Sequence, residues 1–401
     1  MIYLSILVTL LFLSFYYDIK GKTKNRDFWY RFILLVFILI SGLRWRLGVD
    51  TPNYLGDYYH VYPTIDNFSF EDYGVFSSPL FYLLISIIKT FGLRFYVVQI
   101  VHATIVNILI FKYFSKHSTY FFTCLFFYAI TCYTTYNMEI MRASMGIVVS
   151  LFAYDYIIEK KWIKAYILFF IAFLFHPQFI IMFFFPLLFF LRFNKTGVVF
   201  LFISFMIGIK LSEYLQEFVS LFGEGETIED KISTYAESEK FGSEIKASIL
   251  YIFFYHIMPL TYLYLSTLLI KISKPNSSIL KFEPLLLLGF AMVMVEINFV
   301  IAYRFVDCFK IYFVLFYSEL FGSLAVRARM LVPRLSYMRS LLFFIPLIVY
   351  IVNHDYISEN GKGYRYVPYT SIFERKISRQ RQLEYNNVQS TKYPFVNKEE
   401  Y

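Results

Sequence analysis

Charge is the scarcest property of this chain: Asp, Glu, Lys and Arg make up 17% of its 401 residues, against about a quarter in a typical soluble domain. That shortage excludes a soluble globular protein. Cysteine is nearly absent, and Cys124, Cys132 and Cys308 lie inside apolar runs without paired spacing. A disulfide framework is therefore excluded, a zinc site is unsupported, and the three read as small core residues. No GxxxxGK(S/T) or GxGxxG signature occurs, nor a soluble domain to hold a nucleotide sugar. There is no HExxH and no metal-spaced His or Cys group, and the carboxylates are too sparse to support a catalytic Mg²⁺ or Mn²⁺. No metal and no cofactor are expected. The apolar run 1–17 has no cation before it and Lys20, Lys22, Lys24 and Arg26 after it, the reverse of a secretory signal, and lacks a small-residue cleavage site. It is expected to be a retained first helix with its N-terminus outside.

What remains is apolar: 58% hydrophobic and 22% aromatic residues, with a mean hydropathy of +0.55. The expected fold is all-α, a polytopic helical membrane protein embedded in the lipid bilayer. The net charge of +9 does not point to nucleic acid, because the cations are scattered between apolar runs or clustered at their ends, where they set topology. Apolar spans are expected over 2–17, 29–43, 95–114, 119–136, 140–158, 163–176, 177–192, 197–212, 248–270, 284–302, 305–324 and 339–353, twelve in all. Placing the Lys and Arg clusters on the cytoplasmic side requires that 79–91 not cross completely, so it is read as a re-entrant or interfacial helix on the outer side. The alternative is a true span. His176-Pro177 interrupts a long apolar stretch and is read as the turn of a tight hairpin, since proline breaks a helix. The loops 44–78 and 212–247 and the tail 354–401 then face outward from a single transmembrane domain, 1–353. The loop 212–247 carries nine acidic residues, and the polar, tyrosine-rich tail is expected to be largely disordered.

Chemistry is concentrated where the second span meets water, at Arg44-Trp45-Arg46-Leu47-Gly48-Val49-Asp50-Thr51-Pro52-Asn53-Tyr54. Arginine stays charged and grips phosphate through a planar fork, so Arg44 and Arg46 suit a diphosphate. Asp50 suits a base that takes a proton from an acceptor hydroxyl, or is the counter-ion of either arginine. Gly48 lets backbone approach a substrate, or makes a turn. Glu139 and Arg142, three apart, share a helix face, either as a salt bridge or as sugar and phosphate ligands, with Asn137 beside them to bond a sugar hydroxyl. His176 titrates near neutrality and is either a proton-transfer group or a core residue. Arg304, with Asp307 one turn on, is a further phosphate ligand or a local pair. Glu296, inside an apolar run, is costly there and is expected to face a cavity or a partner.

The segment Arg44-x-x-x-Gly48-x-Asp50-x-x-x-Tyr54 resembles a signature of the EpsG family of bacterial polysaccharide polymerases, relatives in function of the Wzy polymerases. The resemblance continues through Asn137–Ala143, Ala172-x-x-Phe175-His176, Tyr303-Arg304 and Val367-Pro368-Tyr369, in order along nearly the whole chain. The sequence departs from it at Val49, Ala143 and Pro177-Gln178, and Arg46 is extra to the signature. The resemblance implies a glycosyltransferase-C-like enzyme in the bacterial cytoplasmic membrane with its active site on the outer side. It would transfer a growing glycan from undecaprenyl diphosphate to the next lipid-linked repeat unit of an O-antigen, capsule or exopolysaccharide. The partners implied are the undecaprenyl-diphosphate-linked oligosaccharide, as donor and acceptor, and a chain-length regulator. In that reading Arg44, Arg46, Arg142 and Arg304 bind the diphosphate, Asp50 or His176 activates the acceptor, and Tyr54, Asn137 and Glu139 bind sugar, with Tyr58 and Tyr59 as further stacking rings. The alternative is a flippase of the lipid-linked repeat, which would place its cations in a cavity between two similar halves; no duplicated span pattern is present.

Overall fold

The computed structural model describes residues 2–48, 50–70, 77–213, 267, 271, 278–299, 302–331 and 365–392. Among these the secondary structure is helical, with no strand beyond one isolated bridge. The α-helices in chain order are α1 Ile2–Leu13, α2 Arg26–Gly42, α3 Thr51–His60, α4 Pro79–Thr90, α5 Phe95–His117, α6 Phe121–Thr131, α7 Met141–Ile158, α8 Trp162–Phe175, α9 Lys195–Glu213, α10 Glu283–Glu296, α11 Tyr303–Asp307, α12 Lys310–Leu331 and α13 Arg379–Lys392. Among the described residues four helical stretches are long and apolar enough to cross a bilayer: Ile2–Ile19, Phe95–His117, Met141–Ile158 and Ser278–Glu296. The spans expected over 248–270 and 339–353, and nearly all of the loop 212–247, lie outside the described residues.

Contacts divide the chain into two compact units, Met1–Phe183 with Phe321–Tyr401, and Phe184–Leu320. In the first, α2 lies along α5. It buries Ile33, Phe37 and Ile40, whose spacing puts them on one face, and Phe37 meets Phe111 edge to face at 5.5 Å. α7 is held between α5 and α8. Lipid is as apolar as leucine, so helices in it associate by close packing at small residues. Gly146 of α7 is such a place: a Cβ there would stand 2.3 Å from the Phe179 ring and 2.9 Å from the Ala172 carbonyl oxygen.

One expected span takes a different form, and the helix read as re-entrant or interfacial is short. α4 has 12 residues, a length of about 18 Å at ~1.5 Å per residue, short of the roughly 30 Å of a hydrocarbon core. After α8 the chain turns at His176, which is extended, and folds back so that Phe183 returns to Tyr166 and Phe173. This return arm, expected as a span over 177–192, is two 3-10 stretches, Pro177–Phe183 and Phe185–Leu188. Pro177 and Pro186 remove backbone donors and clash with the preceding turn, so no α-helix runs through them.

The tail also departs from expectation. Residues 365–392 fold back onto the segment after α2, and α13 packs against α3. In the second unit α9 packs along α10, where a Cβ on Gly208 would come 2.7 Å from the Val295 carbonyl oxygen. The Glu283 carboxylate there accepts the Phe193 N–H at 2.6 Å and pairs with Lys271.

Candidate functional site

α2 ends at Gly42, and the chain beyond it is tied to the tail by backbone bonds. Arg44 and Ser371 form an antiparallel bridge. The Trp45 N–H donates to the Thr370 carbonyl at 2.8 Å, the Ile372 N–H to Leu43 at 2.9 Å, and the Gly48 N–H to Arg365 at 3.2 Å. Side chains reinforce the pairing: the Thr370 hydroxyl bonds the Trp45 carbonyl at 3.0 Å, and the Tyr369 hydroxyl bonds that of Ile40 at 3.1 Å. Arg381 of α13, 1% exposed, holds the tail's own turn by donating to Thr370 Oγ1 and to the Pro368 carbonyl, each at 3.0 Å.

The same loop presses on the chain before α7. Thr135–Glu139 is a π-turn, a form that concentrates at functional sites. Gly48, at φ +104°, sits so close to it that a Cβ would fall 2.0 Å from the Met138 carbonyl oxygen. Arg44 is fully buried. Its guanidinium donates to the Leu47 carbonyl at 3.2 Å, to that of Ser41, and to Met141 Sδ at 3.4 Å. Burial pulls its pKa down to about 10. Arg142 follows Met141 directly, at the start of α7. The Arg142 Cζ lies 5.7 Å from the centre of the Tyr54 ring, and its Nη1 donates to the Tyr82 hydroxyl at 3.4 Å. Its Nε is buried without a hydrogen-bond partner.

On the open side of the loop is a cavity of about 620 Å³. Arg44, Arg46, Arg94 and Arg375 line it, with Trp45, Tyr59 and Gln99 among their neighbours, and among the described residues no Asp or Glu does. Arg46 lies over the rings of Trp45, at 5.3 Å, and Tyr385, at 5.0 Å. Its Nε is buried without a partner, and burial lowers its pKa.

Of the residues singled out in the sequence, the first unit holds Arg44, Arg46, Asp50, Tyr54, Asn137, Glu139, Arg142 and His176, and the second holds Arg304. Asp50 precedes α3, and its backbone carbonyl accepts the Tyr54 N–H at 3.0 Å. Tyr54 is 5% exposed and packs between the Phe81 ring, at 5.7 Å, and Arg142, so it offers no open face to a sugar. Tyr59, 38% exposed and lining the cavity, does. The Asn137 amide is spent inside the protein: its oxygen accepts from Asn107 at 2.7 Å, and its nitrogen donates to the Tyr128 hydroxyl and the Tyr133 carbonyl at 2.9 and 3.0 Å. It clamps the π-turn to α5. Glu139 closes that turn and is partly exposed. His176 Nδ1 accepts the Gln178 N–H at 3.3 Å, which assigns the proton of a neutral ring to Nε2. Arg304 in α11 donates to the Tyr303 hydroxyl at 3.4 Å, and Asp307 pairs with Lys310 at 2.5 Å. Arg94 and Gln99 carried no signal in the sequence, since neither belongs to a motif.

Apolar helices of spanning length, with a cation-lined cavity where helix ends meet a folded tail, make this an all-helical membrane protein. The chain belongs to the EpsG family, which it matches over residues 27–371. These are Wzy-like polysaccharide polymerases, and membership gives the protein a polymerase role of glycosyltransferase type. Neither the curated proteins nor the solved structures compared with it gave a match.

Proposed function

We propose that the protein polymerises a bacterial surface polysaccharide in the cytoplasmic membrane, on a glycosyltransferase-C-like bundle of about twelve spans. It transfers the growing glycan from undecaprenyl diphosphate to a hydroxyl of the next lipid-linked repeat, on the outer face. The observation that supports this reading is the cavity built on the Arg44–Tyr54 motif, with four arginines and, among the described residues, no carboxylate in its lining. The bond from the sugar's anomeric carbon to the diphosphate oxygen breaks, the same carbon bonds the acceptor oxygen, and undecaprenyl diphosphate departs with the electron pair. Charge builds on the diphosphate as it leaves, and fixed guanidinium groups stabilise it without reorganising. Arg46, on the cavity wall with a buried Nε lacking a partner, is the direct ligand in this proposal, and Arg142, outside the described lining against Tyr54 and Tyr82, adds positive charge through the motif. Arg44, its donors spent on Ser41, Leu47 and Met141, holds the loop and adds positive potential behind it. Asp50, directly before the cavity-lining Thr51, is in this proposal the base that takes the acceptor proton. Glu139 and Tyr59 contact sugar.

In cells lacking the native copy, Arg46→Gln with Arg142→Gln is expected to leave single lipid-linked repeats exposed to an external glycosidase and no polymer. Full-length polymer from the well-expressed double variant would overturn the assignment, and repeats protected from the glycosidase would indicate a flippase instead. Asp50→Asn is expected to slow polymerisation by about 10²–10⁴-fold, the usual worth of a general base. Initial rates on purified lipid-linked repeats measure it, and a loss under tenfold would remove Asp50 from the role.

A further inference from the structure

The cavity has a feature that the family match does not cover. The match ends at residue 371, and Arg375 lies beyond it. The backbone pairing of Thr370 and Ile372 with the loop after α2 carries Arg375 to the cavity wall, where its Cζ stands 5.3 Å from the centre of the Trp45 ring. Arg46 stands at the same distance from that ring. One indole therefore carries two guanidinium groups, and Arg94 lines the same space. Among the described residues none of the three makes an ion pair.

The backbone is bent to achieve this. Arg46 and Arg375 both adopt left-handed φ, at +50° and +49°, a conformation uncommon for a side chain of that size and a pointer to function when the surroundings enforce it. Arg375 spends its Nε on the Ile372 carbonyl at 3.1 Å, which fixes the plane of the fork and leaves its terminal nitrogens to a ligand. Like charges gathered around one ring with no carboxylate among the described lining residues repel one another, and a bound anion relieves that repulsion.

We propose that Arg375, supplied by the C-terminal segment, joins Arg46 and Arg94 around Trp45 to form an oxyanion-binding site. Its ligand is a phosphoryl or carboxylate group of the lipid-linked glycan, coming from the carrier's diphosphate or from an acidic sugar. This deepens the function proposed above. It is tested by binding rather than by polymer formation, so either can fail alone.

Trp29, Trp45 and Trp162 are the chain's three tryptophans. In the full-length protein with Trp29→Phe and Trp162→Phe, Trp45 becomes the sole emitter and reports on the site. Titration in nanodiscs with inorganic pyrophosphate and with D-glucuronate, at constant ionic strength, is expected to give a saturable change with at least one of them and none with glucose. Tighter binding of pyrophosphate identifies the diphosphate as the source of the anion, and tighter binding of glucuronate an acidic sugar. Arg375→Gln and Arg94→Gln should each weaken binding about tenfold or more, and Arg375→Lys by less, with unchanged unfolding midpoints because both side chains are exposed. The proposal is overturned if neither anion changes the emission, or if Arg375→Gln binds as the parent does.

Discussion

Replacing Gly48 with alanine is expected to abolish polymer formation and to lower the unfolding midpoint more than any other single methyl added to this chain. At φ +104° a side chain is strained, and here its Cβ would also lie 2.0 Å from the Met138 carbonyl oxygen. That oxygen is backbone in a π-turn pinned by Asn137, so it cannot swing aside as a flexible side chain would. Backbone strain and overlap together should cost about 3 kcal/mol or more, at the upper end of what one substitution does. Gly21 supplies the control: at φ +65° it has nothing within 4 Å of an added Cβ, so Gly21→Ala should cost only the roughly 1–2 kcal/mol of a left-handed backbone. Thermal unfolding of both variants in detergent, with polymer measured in cells, separates the two terms. Equal midpoints would mean that the loop does not press on the π-turn.

Arg381→Ala is expected to release the tail while leaving the helices folded. The side chain is 1% exposed and donates to Thr370 Oγ1 and to the Pro368 carbonyl. Losing two charge-assisted bonds should cost the tail about 2–3 kcal/mol. Opening of the tail should then rise roughly 30- to 160-fold, and tryptic cleavage at Arg375, Lys376 and Arg379 with it. Because Arg375 reaches the cavity only through this docking, polymer yield should fall as well. Lysine at 381 keeps the charge but not the planar fork, so it should restore only part of the protection. Unchanged cleavage in Arg381→Ala would show that the backbone pairing alone holds the segment.

The organising segment was legible in the sequence because its signal is local: two arginines, a glycine and a carboxylate directly after an apolar run. The break at His176-Pro177 was legible for the same reason, since proline acts on its own helix. The tail was not. Its order comes from partners such as Trp45 and Thr370, 325 positions apart, and from backbone bonds that leave no trace in hydrophobic periodicity. Asn137 stood beside chemically active residues and so suggested a sugar ligand, but its true partner, Asn107, lies on another helix 30 positions away. The return arm after Pro177 is as apolar as a span, and only the second proline, Pro186, hinted that no helix would run through it.

The antiparallel bridge between Arg44 and Ser371 also constrains how the chain threads the bilayer. Two backbone segments that share hydrogen bonds must emerge on one leaflet, so the passes made between them come in pairs. A helix that dips and returns, as the sequence leads one to expect of α4, or a hairpin such as that at His176, leaves this parity untouched. Reporter fusions placed within 50–60 and after 392 should therefore report the same compartment.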